Sequence, residues 1–580
     1  MSGRGFGTVL ACLCLAGVTS CASGPGAGRG SSGSPFPSRA QVDALTHGTG
    51  AISPFAQAVV DADEWTFVTP AATELRDEAY VPQTSWGKLL AEYVATDPGR
   101  LSATRALDCA AHEYASFYLA YSAMPATPLR AAMLGHCGAL TGNDGPQYVF
   151  GPAAPDQTDE VLRYAWSGET RKLLYGPHPN GRLVLGLAFA RDDRKAVVVL
   201  AVGVRRAEIE RGTRAVDAKG LLSIHGRLLE PGVRLQALVN QGRFGVAECA
   251  PDPQRSLPEF GYTCALGPGD RSGRIMLAAH ESGRLLGKDV LDVEAFRNEP
   301  AAGYQRVRYT DPAHVRDVNE LPTRLVALVN EMRKEAGLAA VSLSKGESET
   351  ATQLAPRYFE AIHDASKQQE ADVITLGLLA GWDVGCGAIR DARFAYGLVG
   401  PTDDASQWVS SIMADPAGRA VLTDPSIRTL AFGSYMPPAV PMIGATVTGY
   451  AFFDSADYAG VRKSVLGRIT AARAERGLPP PVVVTTLDGD AAELAAQLSQ
   501  GRTTPTSALN QLLETGAKVL GRSVRGLAFE GNSDAIPVPD EFLSSKHLEL
   551  SVTVSHYQPK DESWGRYVVL FVMPGEGTRA

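Results

Sequence analysis

Internal similarity constrains the fold of this chain more than any single motif does, because a duplicated unit has to fold in the same way wherever it recurs. Three landmarks recur in the same order in two segments: residues 135–140 with 384–389, 149–152 with 398–401, and 186–189 with 430–432. Trp166 and Arg171 lie between the later landmarks of the first segment, as Trp408 and Arg419 do in the second. This ordered recurrence predicts two copies of one unit.

A second set of matches indicates a third, shorter copy. Residues 333–338 (RKEAGL) resemble 473–478 (RAERGL), and residues 426–432 resemble 523–529. A chain of 580 residues exceeds what one hydrophobic core supports. We predict a signal peptide over 1–20, a flexible linker over 21–50, repeated units over 51–210, 315–455 and 456–575, and a β-rich domain over 215–296.

Each repeated unit combines helical and strand patterns. Leu325, Leu328 and Met332 lie at helical spacing ahead of Gly337, as in an amphipathic helix that ends at a glycine. Residues 196–202 and 567–572 are continuous apolar runs of the kind found in buried central strands. These patterns predict the α/β class for the repeated units.

The segment between the first two units has a different pattern. In residues 220–293, apolar positions alternate through Val233, Leu235, Ala237 and Val239, and glycines and prolines are frequent. Alternation with period two is typical of strands that bury one face. We expect a small inserted antiparallel β-sandwich domain of the immunoglobulin-like kind.

The N-terminus has the features of an export signal. Arg4 precedes an apolar run over residues 9–18 that is too short to remain as a membrane-spanning helix. Residues 18–21 (VTSC) resemble the lipobox of bacterial lipoproteins, which makes Cys21 the expected site of lipid attachment. The alternative is an ordinary signal peptide cleaved near Ala22. On the first hypothesis the protein is exported and held at the bacterial cell envelope, at the outer membrane or cell surface, by acyl chains.

The charge of the chain excludes one class of partner. The formal net charge is -8 and the sequence pI is about 5.8, and no run of lysines and arginines occurs. Nucleic-acid-binding surfaces are basic because they neutralise phosphates. We therefore expect no nucleic-acid partner; the expected partners are a membrane, through the N-terminal lipid, and an unidentified envelope or extracellular ligand.

Five cysteines remain after Cys21, and export favours disulfides. Cys249 and Cys264 flank a turn-rich segment within the β-rich domain, which predicts a local disulfide, and Cys109 with Cys137 is the next pairing. Cys386 is left over, since Ala351 takes the place of Cys109 in the second unit. The absence of C-x-x-C spacing argues against a zinc or dithiol site.

The second unit resembles the superfamily of cysteine-rich secretory proteins, antigen 5 and pathogenesis-related proteins, known as CAP or SCP-like domains. The likeness rests on residues 328–338 (LVNEMRKEAGL), on Trp408, on Asp415-Pro416 with Arg419, and on the 564–567 (WGRY) stretch before the last strand. The resemblance implies repeated α-β-α sandwich units. It reaches the first and third units mainly through the internal repeat.

The resemblance also implies a metal cleft, and here the sequence departs from the family. CAP domains can hold a divalent ion between two His and two Glu, the ligand types such a site requires. The family's histidine in the Ser-Pro-Gly-His-Arg turn falls on Gly418 in the second unit and on Thr170 in the first, and the segments 137–139 and 386–388 contain no glutamate. We expect no metal site, no cofactor and no catalytic set of residues.

Five residues remain as candidates for lining a cleft: His112, His136, His363, Arg171 and Arg419. The pair His112-Glu113 begins like a zinc-protease helix, but Ser116 stands where the second histidine is required. A single histidine on a helix is more often a satisfied or surface side chain than a ligand. The two arginines recur at equivalent positions, where a guanidinium could clamp an anionic ligand, cap a backbone carbonyl, or pair with Asp415 or Glu169.

Three functional hypotheses follow. The first is a non-catalytic, membrane-tethered CAP-like protein that binds a ligand or partner at the cell envelope. The second is a cell-envelope hydrolase or protease that uses the cleft with substitute residues such as His112 or His363. The third is a structural adhesin, which would contain no small-molecule pocket.

Overall fold

In the computed structural model, the described residues are 36–46, 59–60, 62–75, 78–81, 83–141, 147–154, 156, 182–230, 232, 234–280, 287–362, 367–385, 387–437, 441–533, 536–560 and 562–574. The predicted signal peptide and the candidates Cys21, Arg171, His363 and Cys386 lie outside these residues. The described chain is a mixed α/β structure with several small sheets.

The helices α1 to α12 are, in chain order, Arg39–Asp43, Ser85–Thr96, Arg105–Tyr121, Thr127–Cys137, Leu321–Glu335, Lys345–Ala361, Gln368–Ala380, Ala405–Ala414, Pro416–Thr423, Ser455–Glu475, Asp488–Ser499 and Pro505–Leu520. Local sequence explains several of their ends. The Thr104 hydroxyl accepts a hydrogen bond from Leu107 N before α3, and such N-caps satisfy free helical N–H groups. Helix α5 is the helix predicted ahead of Gly337, which has a left-handed φ of 72°.

The strands β1 to β26 are, in chain order, Val59–Val60, Glu64–Thr66, Glu74–Leu75, Leu101–Ala103, Met124–Pro125, Gln147–Ala153, Arg182–Arg191, Ala196–Arg205, Ala207–Ile209, Gly212–Thr213, Leu221–Leu228, Arg234–Gln241, Gly245–Glu248, Ala250–Pro251, Glu259–Ala265, Ser272–His280, Gly287–Phe296, Gly303–Gln305, Ser342–Leu343, Ile389–Val399, Thr429–Tyr435, Ile443–Phe452, Val482–Val483, Val524–Gly531, Glu549–Tyr557 and Arg566–Pro574. The predicted runs 196–202 and 567–572 lie within β8 and β26, whose central residues are buried.

Three four-stranded sheets share one strand order. They run β4-β7-β8-β6, β19-β21-β22-β20 and β23-β25-β26-β24. In each sheet, the strand that comes first in the chain pairs in parallel with the one that comes third in the chain: β4 with β7, β19 with β21 and β23 with β25. Helices α2 and α3 contribute to separate apolar clusters on the first sheet, as do α10 and α11 on the third, so both of these sheets lie between helices.

The positions of the strands in their sheets correct one of the sequence matches. Leu430 lies on β21, the third strand of its sheet, whereas Leu527 lies on β24, the second strand of its own. The predicted equivalence of 426–432 with 523–529 is therefore wrong, because an apolar Leu-Ala-Phe run suits either strand equally well.

The match between the first and second units is displaced by two residues. Thr104 N donates to Leu185 O at 3.0 Å, and Ser344 N donates to Leu430 O at 2.8 Å. Leu185, rather than Leu187, therefore stands opposite the start of the next helix as Leu430 does. Side chains alternate along a strand, so a shift of two keeps the same face buried and escapes notice in the sequence. With α3 and α6 aligned from their first residues, Cys109 corresponds to Glu349 and not to Ala351.

The matched stretches 333–338 and 473–478 have the same local geometry. Arg333 and Arg473 are each fully buried at the end of a helix. The Nε of Arg333 donates to Ala339 O at 2.7 Å, and that of Arg473 donates to Pro479 O at 2.6 Å. Both guanidinium groups also donate to carbonyls of a later loop, including Asp424 O and Ser545 O respectively. Each arginine fixes a helix end to the loop beside its sheet.

The β-rich segment contains two antiparallel four-stranded sheets, in the orders β14-β15-β11-β9 and β13-β12-β16-β17. Side chains of both sheets share one apolar core, which includes Ile224 and Val239. The Cys249–Cys264 disulfide lies in this segment. The second sheet is also covered on its other face, because Met276 packs against Ala417 of α9.

The chain divides into two compact units. The first contains Phe36–Leu379 and Arg393–Gly449, and the second contains Ala380–Ala392 and the residues from Tyr450 onward. Within the part of the chain that the structure describes, no helix combines the length and apolar character needed to cross a membrane.

Candidate ligand cavity

A cavity of about 560 Å³ lies inside the first compact unit. Its lining comes from α4, from the sheet that contains β12, β16 and β17, from the segment 301–312, and from α8 with the start of α9. Phe67 and Tyr114 add aromatic surface. This volume falls within the range of small-molecule sites, which combine apolar walls with a few polar groups.

Helix α8 presents a polar face to the cavity. Ser406, Gln407 and Ser410 line it, whereas Trp408 and Met413 are fully buried on the side away from it. The indole Nε1 of Trp408 donates to Gly397 O at 3.1 Å and to Ala445 O at 3.2 Å, which fixes the rotation of the helix. The hydroxyls on the cavity side are therefore held in place.

Arg419 lines the cavity, but its donors are used within the protein. Its Nε donates to Met413 O at 2.9 Å, and its Nη1 donates to Gly242 O and Gly245 O, each at 3.1 Å. Its Nη2 donates to the hydroxyl of Tyr309 at 3.2 Å. Burial lowers the pKa of Arg419, and the nearby hydroxyl and carboxylates oppose that shift. Of the roles expected for this residue, the structure shows the bonding of carbonyls, which joins α9 to the β-rich segment.

Most other arginines at the cavity have carboxylate partners. Arg274 contacts both carboxylate oxygens of Asp292 through Nε, at 2.8 and 2.7 Å. Arg306 and Arg308 share Asp63, and Arg308 also lowers the pKa of that carboxyl. These pairs neutralise much of the cavity wall.

The C-terminal end of α4 is fixed by Arg214. This arginine is 1% exposed and donates to Gly135 O, to Ala72 O at 2.8 Å and to Glu294 O at 2.9 Å. A cation there also complements the negative end of the helix dipole. A Cβ at Gly135 would lie 2.5 Å from the Glu294 carboxylate, so a larger residue there would have to displace that side chain. Burial raises the pKa of Glu294, and Arg214 opposes that shift.

The N-terminal end of α4 also borders the cavity, and Arg130 lies in its first turn. Arg130 is 8% exposed, and its Nη2 donates to the Thr127 hydroxyl at 2.8 Å. Its Nε has no hydrogen-bond partner, and no carboxylate among the described residues pairs with it. Arg130 was not among the residues selected from the sequence. An arginine in the first turn after Pro128 is the signal that could have identified it.

The two described histidine candidates do not line the cavity. His136 is 4% exposed, its ring stacks on Phe67 at 4.0 Å between centroids, and its Nε2 lies 2.8 Å from Thr69 O. This is the environment of a packed core histidine with one bonded nitrogen. His112 is half-exposed on α3, where its Nδ1 lies 2.9 Å from Asp108 O and 3.7 Å from the Asp108 carboxylate.

Glu113, next to His112, has a structural position. It is fully buried, and its carboxylate accepts hydrogen bonds from Trp65 Nε1 at 3.0 Å, from Val68 N at 2.8 Å and from Thr69 N at 2.7 Å. A carboxylate so engaged orders the 65–69 segment. The structure thus separates the roles of His112 and Glu113, and it brings neither to the cavity.

Gly418, the position that the sequence resemblance aligns with a metal-binding histidine, has no room for a side chain. A Cβ there would lie 2.5 Å from Ile412 O and 2.8 Å from Ile412 Cγ2, and Gly418 N donates to the Asp415 carboxylate. The residues present do not fit the family's metal tetrad. Over the described ranges, no group of three or more His, Cys, Asp or Glu side chains is placed to hold a metal ion.

No family model matches this chain, and no curated protein matches it. Solved structures with a distant likeness include a cysteine-rich secretory protein from Staphylococcus aureus subsp. aureus Mu50, at 9% identity and a TM-score of 0.18, covering 42% of this chain and 84% of that one. Another is an extracellular protein containing a SCP domain from Bacillus anthracis str. Ames, at 8% identity and a TM-score of 0.17, covering 42% and 80%. Because this similarity is so low, the fold and the function of the chain have to be derived from its own residues.

Proposed function

We propose that this chain is an exported, membrane-tethered and non-catalytic binding protein that takes a small ligand into the cavity beside α4 and α8. The observation that carries the proposal is the cavity itself, which has the volume of a ligand site and a wall of aromatic rings, hydroxyls and arginines. Cys21 would carry the lipid. An adhesin of purely architectural repeats does not require such a space.

The proposal includes three copies of a CAP-like α-β-α unit with a β-sandwich inserted after the first. The shared strand order of the three sheets supports it, as do the equivalent buried arginines Arg333 and Arg473. On this view, a cavity has formed within the first compact unit, where the first two repeated copies meet the inserted domain, outside the metal cleft of the family. The loss of space at Gly418 fits that change of site.

Binding in the cavity can be tested with the neutral fluorescent probe N-phenyl-1-naphthylamine. The experiment uses the full chain carrying Cys21→Ser, so that no acyl chain competes with the protein for the probe. Ala131 lines the cavity on α4, and Ala131→Trp is expected to fill the space and abolish saturable binding. Ala95→Trp, at an exposed position on α2, is the matched control and should bind as the parent chain does.

Failure of the parent chain to bind the probe, or equal binding by the Ala131→Trp and Ala95→Trp variants, would contradict the proposed site. Native mass spectrometry of the exported protein supplies a second readout. A co-purified small molecule that is absent from the Ala131→Trp variant supports the proposal. Hydrolysis of peptide, glycan or ester substrates that is lost in His112→Ala would favour the enzyme hypothesis instead.

A further inference from the structure

Helix α4 begins at the cavity without the usual compensation for its positive end. Its N-cap residue Ala126 supplies no side-chain acceptor, and its first turn contains no acidic residue. The unpaired N–H groups of a helix N-terminus carry partial positive charge, which favours an anion nearby. Thr127 and Pro128 of this turn line the cavity.

Arg130 adds a full positive charge to the same turn. A cation at a helix N-terminus opposes the dipole, and a buried cation without a carboxylate is costly. Arg130 is nevertheless 8% exposed and bonds only a neutral hydroxyl through its side chain within the described chain. At the other end of the same helix, Arg214 has the favourable position and is bonded to carbonyls. The unfavourable position of Arg130 is explained if a negative charge is supplied by a ligand.

The rest of the wall indicates what kind of anion fits. Phe67, Tyr304 and Tyr309 give apolar surface, and the side-chain hydroxyls of Ser410 and Ser411 have no hydrogen-bond partner among the residues described. Inorganic phosphate alone would leave this surface uncovered. A ligand with an acidic group and an apolar body would use both parts of the cavity.

We propose that the cavity binds an organic anion, with its carboxylate, sulfonate or phosphate group held by Arg130 and the N-terminus of α4 and its apolar body against the aromatic wall. This inference rests on the proposed function, because it requires that the cavity take up a small molecule. Arg130 is the residue that determines the charge of the ligand. A guanidinium suits this role, since it bonds planar acidic groups with fixed geometry.

A matched pair of probes tests the charge preference directly. The probe 8-anilinonaphthalene-1-sulfonate has the ring system of N-phenyl-1-naphthylamine and one added sulfonate. With the full chain carrying Cys21→Ser, the anionic probe should bind more tightly than the neutral one. Arg130→Gln should weaken the anionic probe by about tenfold or more and change the neutral probe by no more than about twofold.

Four further variants separate charge from shape. Arg130→Lys keeps the charge and should retain a preference for the anionic probe. Arg227→Gln, an exposed arginine outside the cavity, is the matched control and should change neither affinity. Ala126→Asp and Ala126→Ser both provide an N-cap acceptor for α4, but only the aspartate adds negative charge, so only Ala126→Asp should weaken the anionic probe. This last pair keeps the test decisive if Arg130→Gln fails to fold.

Each outcome bears on one of the two claims. Equal affinity of the parent chain for both probes, or equal weakening of both by Arg130→Gln, would overturn the organic-anion inference and leave the binding function intact. An effect of Ala126→Ser as large as that of Ala126→Asp would also overturn it. Absence of saturable binding of either probe to the parent chain would refute the proposed function itself.

Discussion

At the scale of single residues, Asp108 shows how burial and pairing compete. It lies in the first turn of α3, and burial raises the pKa of its carboxyl to about 6, while His112, the backbone N–H of Leu187 and Arg105 oppose the shift. The folded state therefore binds the proton more tightly than the unfolded state does. The resulting stabilisation is complete below the unfolded pKa near 4 and is lost as the pH rises through 6.

We expect Asp108→Asn to stabilise α3 at pH 7.5 relative to the parent chain, with little difference at pH 4. The amide can still accept from Leu187 N and no longer has to ionise in a buried site. The stabilisation by Asp108→Asn should be larger at pH 7.5 than at pH 4 by about 3 kcal/mol at most. Hydrogen exchange of α3 amides measures it, with exposed Asp43→Asn as control; the same pH dependence in Asp108→Asn and the parent chain would contradict the explanation.

At the scale of elements, the Cys109–Cys137 disulfide joins α3 to α4. With Cys249–Cys264 it confirms that the chain contains disulfide bonds. Helix α4 carries Arg130 at one end and Cys137 at the other. The cross-link therefore limits how far the helix that borders the cavity can move from the helix that supports it.

We predict that Cys109→Ala destabilises the first sheet and its helices by about 2 to 5 kcal/mol, the usual effect of removing a native disulfide from an exported domain. Faster hydrogen exchange should be confined to α3, α4 and the strands beneath them. Cys249→Ala, the matched control, should affect the β-rich segment instead. Free thiols at both Cys109 and Cys137 in the exported protein would show that the cross-link does not form there.

At the scale of the whole molecule, the proposed location depends on Cys21, outside the described residues. Diacylglycerol on a cysteine, with a further acyl chain, exceeds the hydrophobicity needed for stable anchoring. The chain with Cys21 is expected to fractionate with membranes and to incorporate labelled palmitate. Cys21→Ser is expected to remain unprocessed or to be released, and labelling of both chains to the same extent would rule out lipid attachment at Cys21.

The sequence by itself determined the α/β class. The periodicity of apolar residues shows which face of a helix or strand is buried, and it does so without knowledge of the element that packs against that face. It indicated both cysteine pairings and the geometry shared by residues 333–338 and 473–478. It misplaced the strand match at 523–529 and displaced the match at Leu187 by two residues. Both errors have one physical cause, because similar apolar strands bury the same face in more than one register.

The tertiary structure alone decided where the proposed ligand cavity lies. The cavity wall gathers α4, α8, the segment 301–312 and a sheet of the β-rich segment, which are far apart in the chain. Sequence similarity drew attention to Arg419, whose donors are occupied by carbonyls and a tyrosine hydroxyl, and did not include Arg130, which lies outside the matched landmarks. Whether an arginine is bonded internally or left for a ligand depends on which carboxylates and carbonyls packing brings to it, and that is a property of the assembled fold.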